Sequence, residues 1–357
     1  MESTGIVQPR RMGFIDIIRG LAAVLVAVFH QQIHTFMHYP TEPIPRGSIT
    51  WWLFLGFIDL GKIAVTLFFC VSGYLIPSLL IKPTARIKDF AIHRIFRLYP
   101  AYWLSIICRI AVLAAVGRLA DLPSPFNVAV NFTMLHKFIG QPDLIGVFWT
   151  LQIELVFYII TAGLAAYRKL THRWTIQLTM MGLTIICAAG RLITHKPLPV
   201  AMFMALSLMW MADTMRAHER GETSAKDVTR AVISALIMVI PASFLGYDDA
   251  AARYLITYYI AIGLFVLCWW KRAHFDMDTP LLRTLSRLGD WSFGIYLLHG
   301  SVLILVGEAM DRAHYNVWIT SLVTMPTLFV FSAILFHTVE APLIRMGKRI
   351  TIRENKL

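Results

Sequence analysis

Charge is scarce in this sequence: 15% of its 357 residues are charged, against about a quarter in ordinary soluble domains. Hydrophobic residues make up 57%, and a soluble fold of that composition would have too little polar surface to cover its core. Cysteine is equally scarce, and because all four cysteines lie in apolar stretches, a disulfide scaffold is disfavoured. The lack of charge therefore predicts an integral membrane protein.

Ten apolar stretches follow one another along the chain, which is what roughly 200 apolar residues can supply at ~20 residues per membrane span. They lie at about 14–36, 51–80, 100–117, 146–166, 175–190, 198–215, 231–246, 252–270, 291–308 and 317–340. None of them has the ~10-residue alternation of a membrane β-barrel. We predict an all-α, polytopic integral membrane helix bundle of about ten transmembrane helices. It forms one domain over residues 1–357, with no attached extramembrane domain.

The basic residues alternate between the loops that join these stretches. Of the 33 Lys and Arg, 23 lie in one alternate set of loops, which includes both terminal segments, and seven lie in the opposite set. Since cytoplasmic loops carry the excess of Lys and Arg, both termini are predicted to be cytoplasmic. The net charge of +12 is then a topology signal, and no nucleic-acid partner is expected. The remaining three, Arg19, Lys62 and Arg109, fall inside predicted spans.

The first span carries two ionisable residues in register. Arg19 and His30 are eleven residues apart, so a helix places them on one face, about 16 Å apart along its axis. Ionisable groups inside a bilayer are costly and mark functional sites. The pair suits a long ligand that a cation anchors at the cytoplasmic end and that reacts near an imidazole able to transfer protons. The structural alternative is a buried His30 hydrogen-bonded within the bundle and an Arg19 paired with Asp16.

Three histidines of the first span recur at every fourth position. This spacing of His30, His34 and His38 is compatible with metal ligands. No cysteine accompanies them, and Glu42 is the nearest carboxylate on the exterior side. We therefore predict no metal site and expect His34 to line an exterior path that meets a hydrophilic substrate.

A serine and a pair of arginines lie near the cytoplasmic ends of the second and third spans. Ser72 lies near the end of the apolar run 65–75. In the segment 90–103, which we predict to be a loop, Arg94 and Arg97 are three residues apart and share a face. A pair of guanidinium groups suits phosphate recognition, but lipid headgroups and topology explain the pair equally well and are favoured when it is considered alone.

Two later spans also carry polar side chains. Glu154 lies well inside the fourth span, close to Trp149, and needs a partner, for which Arg19, Lys62 or a histidine of another helix are the candidates. In the ninth span Ser292, Tyr296 and His299 share one face, because their spacing is i, i+4 and i+7.

The ordered set of these segments resembles the acyltransferase family 3 membrane proteins, which O-acylate bacterial surface sugars and related acceptors. The resemblance covers nearly the whole chain. It rests on Arg19-x10-His30, LFFCVSGYL (67–75), HRIFRLYP (93–100), WTLQIELVFY (149–158), SFGIYLLH (292–299) and VEAPL (339–343). Two positions depart from the pattern: Thr66 stands where relatives commonly have an acidic residue, and Lys62 is an unusual charge just upstream.

The resemblance implies an O-acyltransferase of the bacterial cytoplasmic (inner) membrane, in which acyl-CoA is a co-substrate rather than a tightly bound cofactor. The acyl group, acetyl by default, would pass to a hydroxyl of a sugar in an exopolysaccharide, an O-antigen or a similar glycan, lipid-linked sugars included. Membrane lipid and other proteins of polysaccharide biosynthesis are the further partners that it implies. Without an exterior domain after the last span, this chain would acylate its acceptor directly.

The same resemblance implies roles for residues of this chain. His30 would be the general base on the sugar hydroxyl, and the other catalytic residues would be Arg19 and Glu154. The residues expected to hold acyl-CoA are Arg19, Ser72, Arg94 and Arg97. The residues expected to line the substrate site are His34, Trp149, Tyr296 and His299.

Two other functions also fit the sequence. A secondary transporter would use the intramembrane charges as an ion path, but transporters tend to have internal repeats, and the two halves of this sequence do not match. A non-catalytic component of polysaccharide export is the third possibility.

Overall fold

The computed structural model describes residues 13–38, 56–82, 84–246, 251–275, 279–313 and 317–354, and every regular element in these ranges is helical. The α-helices are α1 (Gly13–His38), α2 (Leu60–Leu75), α3 (Ile87–Ala115), α4 (Pro125–Asn131), α5 (Phe148–Ala166), α6 (Arg173–Thr194), α7 (Val200–Glu219), α8 (Ala225–Gly246), α9 (Ala251–Trp270), α10 (Pro280–Arg312), α11 (Val317–Leu335) and α12 (Ala341–Glu354). A π-helical turn, Phe336–Glu340, joins α11 to α12. The predicted all-α bundle is confirmed.

The predicted membrane spans coincide with the long helices. Within the described ranges, nine segments are long and apolar enough to cross a membrane. The one predicted stretch that is not among these nine is the sixth, 198–215, which forms α7 and whose hydropathy is lowered by charged residues such as Asp213. This carboxylate is fully buried and lies 2.8 Å from the Nε of Arg173. The start of the second stretch, 51–55, lies outside the described residues. The chain is a multi-pass membrane protein.

The prediction that 90–103 is a loop is wrong, because α3 already begins at Ile87. Counting apolar residues detects only the part of a helix that lies in hydrocarbon, which is ~30 Å thick. With 29 residues, α3 is about 43 Å long, so its basic first turns extend beyond that layer. For the same reason α10 begins at Pro280 rather than near 291, with the Thr279 side chain accepting a hydrogen bond from the Leu282 backbone N–H.

Two points of contact fix how α1 packs against α10. Helices α1 and α10 are parallel, because Gly20 lies against Gly289 and, ten residues further along each helix, the ring of His30 lies 4.9 Å from the ring of His299. A parallel arrangement is expected of the first and ninth spans of an alternating series. This register places the intramembrane histidines of two distant segments side by side.

We expect Gly289→Ala to destabilise the bundle. A Cβ atom at this position would lie 2.2 Å from the backbone oxygen of Asp16, so α1 and α10 would have to move apart, and overpacking of this kind costs about 1–3 kcal/mol. Thermal unfolding of the protein in lipid nanodiscs should show a lower midpoint. The matched control is Gly163→Ala in α5, where no atom lies within 4 Å of the new Cβ and alanine is the better helix former. Equal midpoints for the two variants would contradict this packing.

Candidate functional site

A cavity lies between α2, α3, α5 and α10. Its volume, about 310 Å³, is within the usual range for small-molecule sites. Arg19 of α1 and Phe336 of the π-helical turn complete its wall. The structure thus brings together six of the residues predicted from the sequence: Arg19, Ser72, Arg94, Arg97, Glu154 and Tyr296. Five different segments contribute these six side chains.

Three guanidinium groups lie at one end of this cavity, which we call the basic end: those of Arg19, Arg94 and Arg97. Arg19 donates a hydrogen bond to Ser292 (3.1 Å) and lies 3.8 Å from Asp16. Arg97 donates to the buried carboxylate of Glu340 over 3.3 Å. Two of the three charges are therefore held in place by a protein partner.

Arg94 differs from the other two. Its guanidinium carbon lies 5.7 Å from the ring centroid of Tyr158 and 5.8 Å from that of Phe90. Among the described residues no carboxylate pairs with it, and its buried Nε has no hydrogen-bond partner. The unpartnered Nε of Arg94 therefore offers an N–H donor on a cation, which suits an anionic ligand, although the carboxylates of Glu154 and Asp290 line the same cavity.

Glu154 joins α5 to α2 beside these cations. Its Oε1 accepts hydrogen bonds from the hydroxyl of Ser72 (3.1 Å) and from the hydroxyl of Tyr158 (2.5 Å). The expectation of a cationic or histidine partner is wrong, since the described partners are two hydroxyl groups. Tyr158 also packs against Arg94, so it links the carboxylate to the cation.

The opposite end of the cavity, the apolar end, is lined by Val65, Phe68, Phe69 and Leu151, together with Tyr296. Val65 lies seven residues before Ser72 on α2, which is about 10 Å along the helix axis. Here the hydroxyl of Tyr296 lies 2.6 Å from the Thr150 hydroxyl. The lining of the cavity thus contains three cations at the basic end and mainly apolar side chains, with one pair of hydroxyl groups, at the apolar end.

The two intramembrane histidines lie beyond Tyr296. The ring of His299 is 6.2 Å from that of Tyr296 and 4.9 Å from that of His30, so neither histidine lines the cavity itself. The Nδ1 of His30 is 2.9 Å from the Val26 carbonyl oxygen, and that of His299 is 2.7 Å from the Tyr296 carbonyl oxygen. A carbonyl only accepts, so Nδ1 carries a proton in both rings, and in the neutral form of each ring Nε2 has the lone pair.

Two further residues predicted for the site lie elsewhere or cannot be placed. The ring of Trp149 lies 5.0 Å from the Nζ of Lys62 and 6.3 Å from the ring of Phe69, and it lines a second, smaller void rather than the main cavity. His34 belongs to α1, but its side chain lies outside the described residues.

The segment between α3 and α5 contributes residues that the sequence analysis missed. His136 is fully buried; its Nε2 lies 2.7 Å from Asp143, and its Nδ1 lies 3.1 Å from the Gln152 amide nitrogen. These contacts fix the start of α5, where the Val147 carbonyl accepts a hydrogen bond from Tyr296 over 3.1 Å. Their seven- and nine-residue separations across a loop follow no helical period, so no sequence signal identified them.

Arg109 of α3 is a second residue without an assigned role. It is buried and donates a hydrogen bond to the backbone oxygen of Gly300 over 3.2 Å. Gly300 directly follows His299, so this intramembrane cation holds the part of α10 that carries the second imidazole. Its position inside a span was the signal that could have found it.

Comparison with known proteins identifies a family. The family model described as an acyltransferase domain matches residues 12–338. A protein of Shigella phage Sf6, named an O-acetyl transferase, is 27% identical over 330 residues, which cover 87% of this chain and 90% of that protein. A putative peptidoglycan O-acetyltransferase of Bacillus subtilis is 23% identical over 84% of this chain and 53% of its own length.

A peptidoglycan O-acetyltransferase of Listeria monocytogenes is 22% identical over 80% of this chain and 52% of its own length. The chain therefore spans about half the length of the two peptidoglycan O-acetyltransferases and most of the phage protein. No solved structure matches it.

Proposed function

This chain belongs to the acyltransferase family whose model matches residues 12–338, and on that premise we propose that its cavity binds acyl-CoA and that the acyl group passes to a sugar hydroxyl. The chain is an acyltransferase rather than a secondary transporter or a non-catalytic component of polysaccharide export. The proposed acyl group is acetyl, because relatives are named O-acetyl transferase and O-acetyltransferase.

The observation that carries this proposal is the polarity of the cavity. Its basic end offers guanidinium groups for the phosphates of CoA, with Arg19 and Arg97 already held in place and Arg94 open to an anion. Its apolar end suits the pantetheine arm and the acyl group. Because α1 is one unbroken helix, Arg19 and His30 are about 16 Å apart along its axis, comparable with the length of an extended pantetheine arm.

The proposed reaction follows from the histidine pair beyond Tyr296. The Nε2 of His30 takes the proton of the acceptor hydroxyl while that oxygen attacks the thioester carbonyl. Collapse of the tetrahedral intermediate breaks the carbon–sulfur bond, and His30 returns its proton to the departing CoA thiolate. The products are the sugar ester and CoA. Glu154 orients the polar groups along the donor, while the acceptor reaches His30 from the opposite end of the bundle.

We also propose where the protein acts. The alternation of basic loops supports a bacterial inner-membrane location with the basic end of the cavity towards the cytoplasm, where acyl-CoA is made. The acceptor is then a glycan or lipid-linked sugar on the opposite side. A donor cavity at one end and an imidazole pair further along suit transfer across the membrane.

The direct test uses the purified protein in lipid nanodiscs with acetyl-CoA whose acetyl group is labelled. Release of the CoA thiol should depend on an added lipid-linked oligosaccharide or peptidoglycan fragment, and the label should appear on the glycan as an alkali-labile ester. Parallel reactions without glycan measure hydrolysis of the donor. Absence of label on every glycan, with acetyl-CoA unconsumed, would contradict the proposed donor.

A further inference from the structure

A second void lies directly behind the apolar end of the cavity. Its volume is about 10 Å³, close to the minimum that holds one water molecule. Among the described residues, two side chains line both spaces, those of Val65 and Phe69. They form a partition between the cavity and the void. Behind it the void is lined by Ala201, Ala205 and Leu208 of α7, and by the side chains of Lys62, Thr66, Trp149 and Tyr258.

We propose that this partition sets the length of the acyl group, so that Val65 and Phe69 are specificity-determining residues for a two-carbon acyl chain. The inference rests on the proposed function, which places the phosphates of CoA at the basic end and therefore the acyl group at the apolar end. An acetyl group fits in front of the partition. Each further methylene group of a longer acyl chain would need the space that Val65 and Phe69 occupy.

The partition is closely packed, as a chain-length limit requires. Val65 is β-branched and 8% exposed, and Phe69 is 6% exposed with its ring packed edge-on against Trp149. Four residues after Phe69, α2 and α7 are in backbone contact, since a Cβ on Gly73 would lie 2.1 Å from the Met209 oxygen. Close-packed interiors of this kind do not yield to an extra methylene group.

The neighbouring residue Phe68 has a different role. Its ring packs against Tyr296 at 5.5 Å, and it lines the main cavity without touching the void. It therefore forms part of the wall of the apolar end next to the histidine pair. Phe69, in contrast, blocks the path along which a longer acyl chain would extend.

The experiment measures kcat/KM of the full-length protein in nanodiscs with acetyl-CoA, propionyl-CoA and butyryl-CoA. In Phe69→Ala we expect the butyryl-to-acetyl ratio to rise about tenfold, since one methylene group in an apolar pocket changes selectivity roughly 10- to 200-fold. Val65→Ala, a smaller change, should raise the propionyl-to-acetyl ratio in the same direction. It carries the test alone if Phe69→Ala fails to fold.

A second substitution shows whether the gain uses the void. Ala205 lines the void and not the cavity, so Ala205→Val in the Phe69→Ala background should fill the opened space and return the ratio towards that of wild type. The inference is overturned if folded Phe69→Ala and Val65→Ala keep the wild-type ratios, or if Ala205→Val leaves the gain intact. If wild type itself releases no CoA from acetyl-CoA in the presence of glycan, the proposed function fails, and this inference fails with it.

Discussion

Replacing His30 with alanine should lower acyl transfer by about a thousandfold while the protein still inserts, folds and binds acyl-CoA. A positioned general base contributes roughly 10²- to 10⁴-fold to a rate. The Val26 carbonyl fixes the proton of this ring on Nδ1, and alanine removes the Nε2 lone pair that results. The measurement is the initial rate of labelled ester formation on the glycan, with acetyl-CoA binding followed separately.

Two variants control for loss of a histidine as such. His337→Ala removes an exposed histidine from the π-helical turn and should leave the rate unchanged. His30→Gln keeps a polar side chain but supplies no base, so it should be nearly as inactive as His30→Ala. Full activity in either His30 variant would eliminate this residue as the base and would make the neighbouring His299 the candidate base.

The spatial relations that can be predicted from the sequence are local ones. The register of Arg19 and His30 depends only on the helical period, and α1 carries both without interruption. The spacing of Arg94 and Arg97 likewise gave a shared face, and both line the cavity even though their segment was predicted as a loop. A local period survives an error in the helix boundary, because it requires only that the residues be helical.

The relations that cannot be predicted from the sequence depend on contacts between distant segments. The closeness of His30 to His299 follows from the approach of α1 and α10 at Gly20 and Gly289, a register that neither helix specifies alone. In the same way, Glu154 receives hydroxyl partners because α2 crosses α5 at Ser72. Hydrophobic periodicity says which face of a helix is buried, but not which helix covers it.

The structure shows the surroundings of Thr66 and Lys62, the two positions that depart from the family pattern. The hydroxyl of Thr66 donates to the Lys62 carbonyl oxygen over 2.8 Å, so it is satisfied within α2. Both residues line the small void behind the partition rather than the cavity. Their departure from the pattern therefore concerns the small void and not the cations at the basic end.

Replacing Arg94 with alanine should raise the KM for acetyl-CoA roughly 30- to 100-fold and leave kcat at saturating donor close to wild type. Truncating one partner of a buried, charge-assisted pair costs at least about 2 kcal/mol, which corresponds to roughly 30-fold, and an interaction made equally in the bound and transition states appears in KM alone. Arg94 is the informative choice because Arg97→Ala would also leave the buried carboxylate of Glu340 without its cation.

The matched comparisons for Arg94 separate charge from geometry. Lys88→Ala removes an exposed cation from the same helix, six residues earlier, and should change KM less than twofold if general attraction to the anionic donor is small. Arg94→Lys keeps the charge but loses the planar fork that grips a phosphate, so its KM should fall between those of wild type and Arg94→Ala. An unchanged KM in Arg94→Ala would remove the phosphate anchor from the basic end, because that is the guanidinium to which the described structure gives no carboxylate.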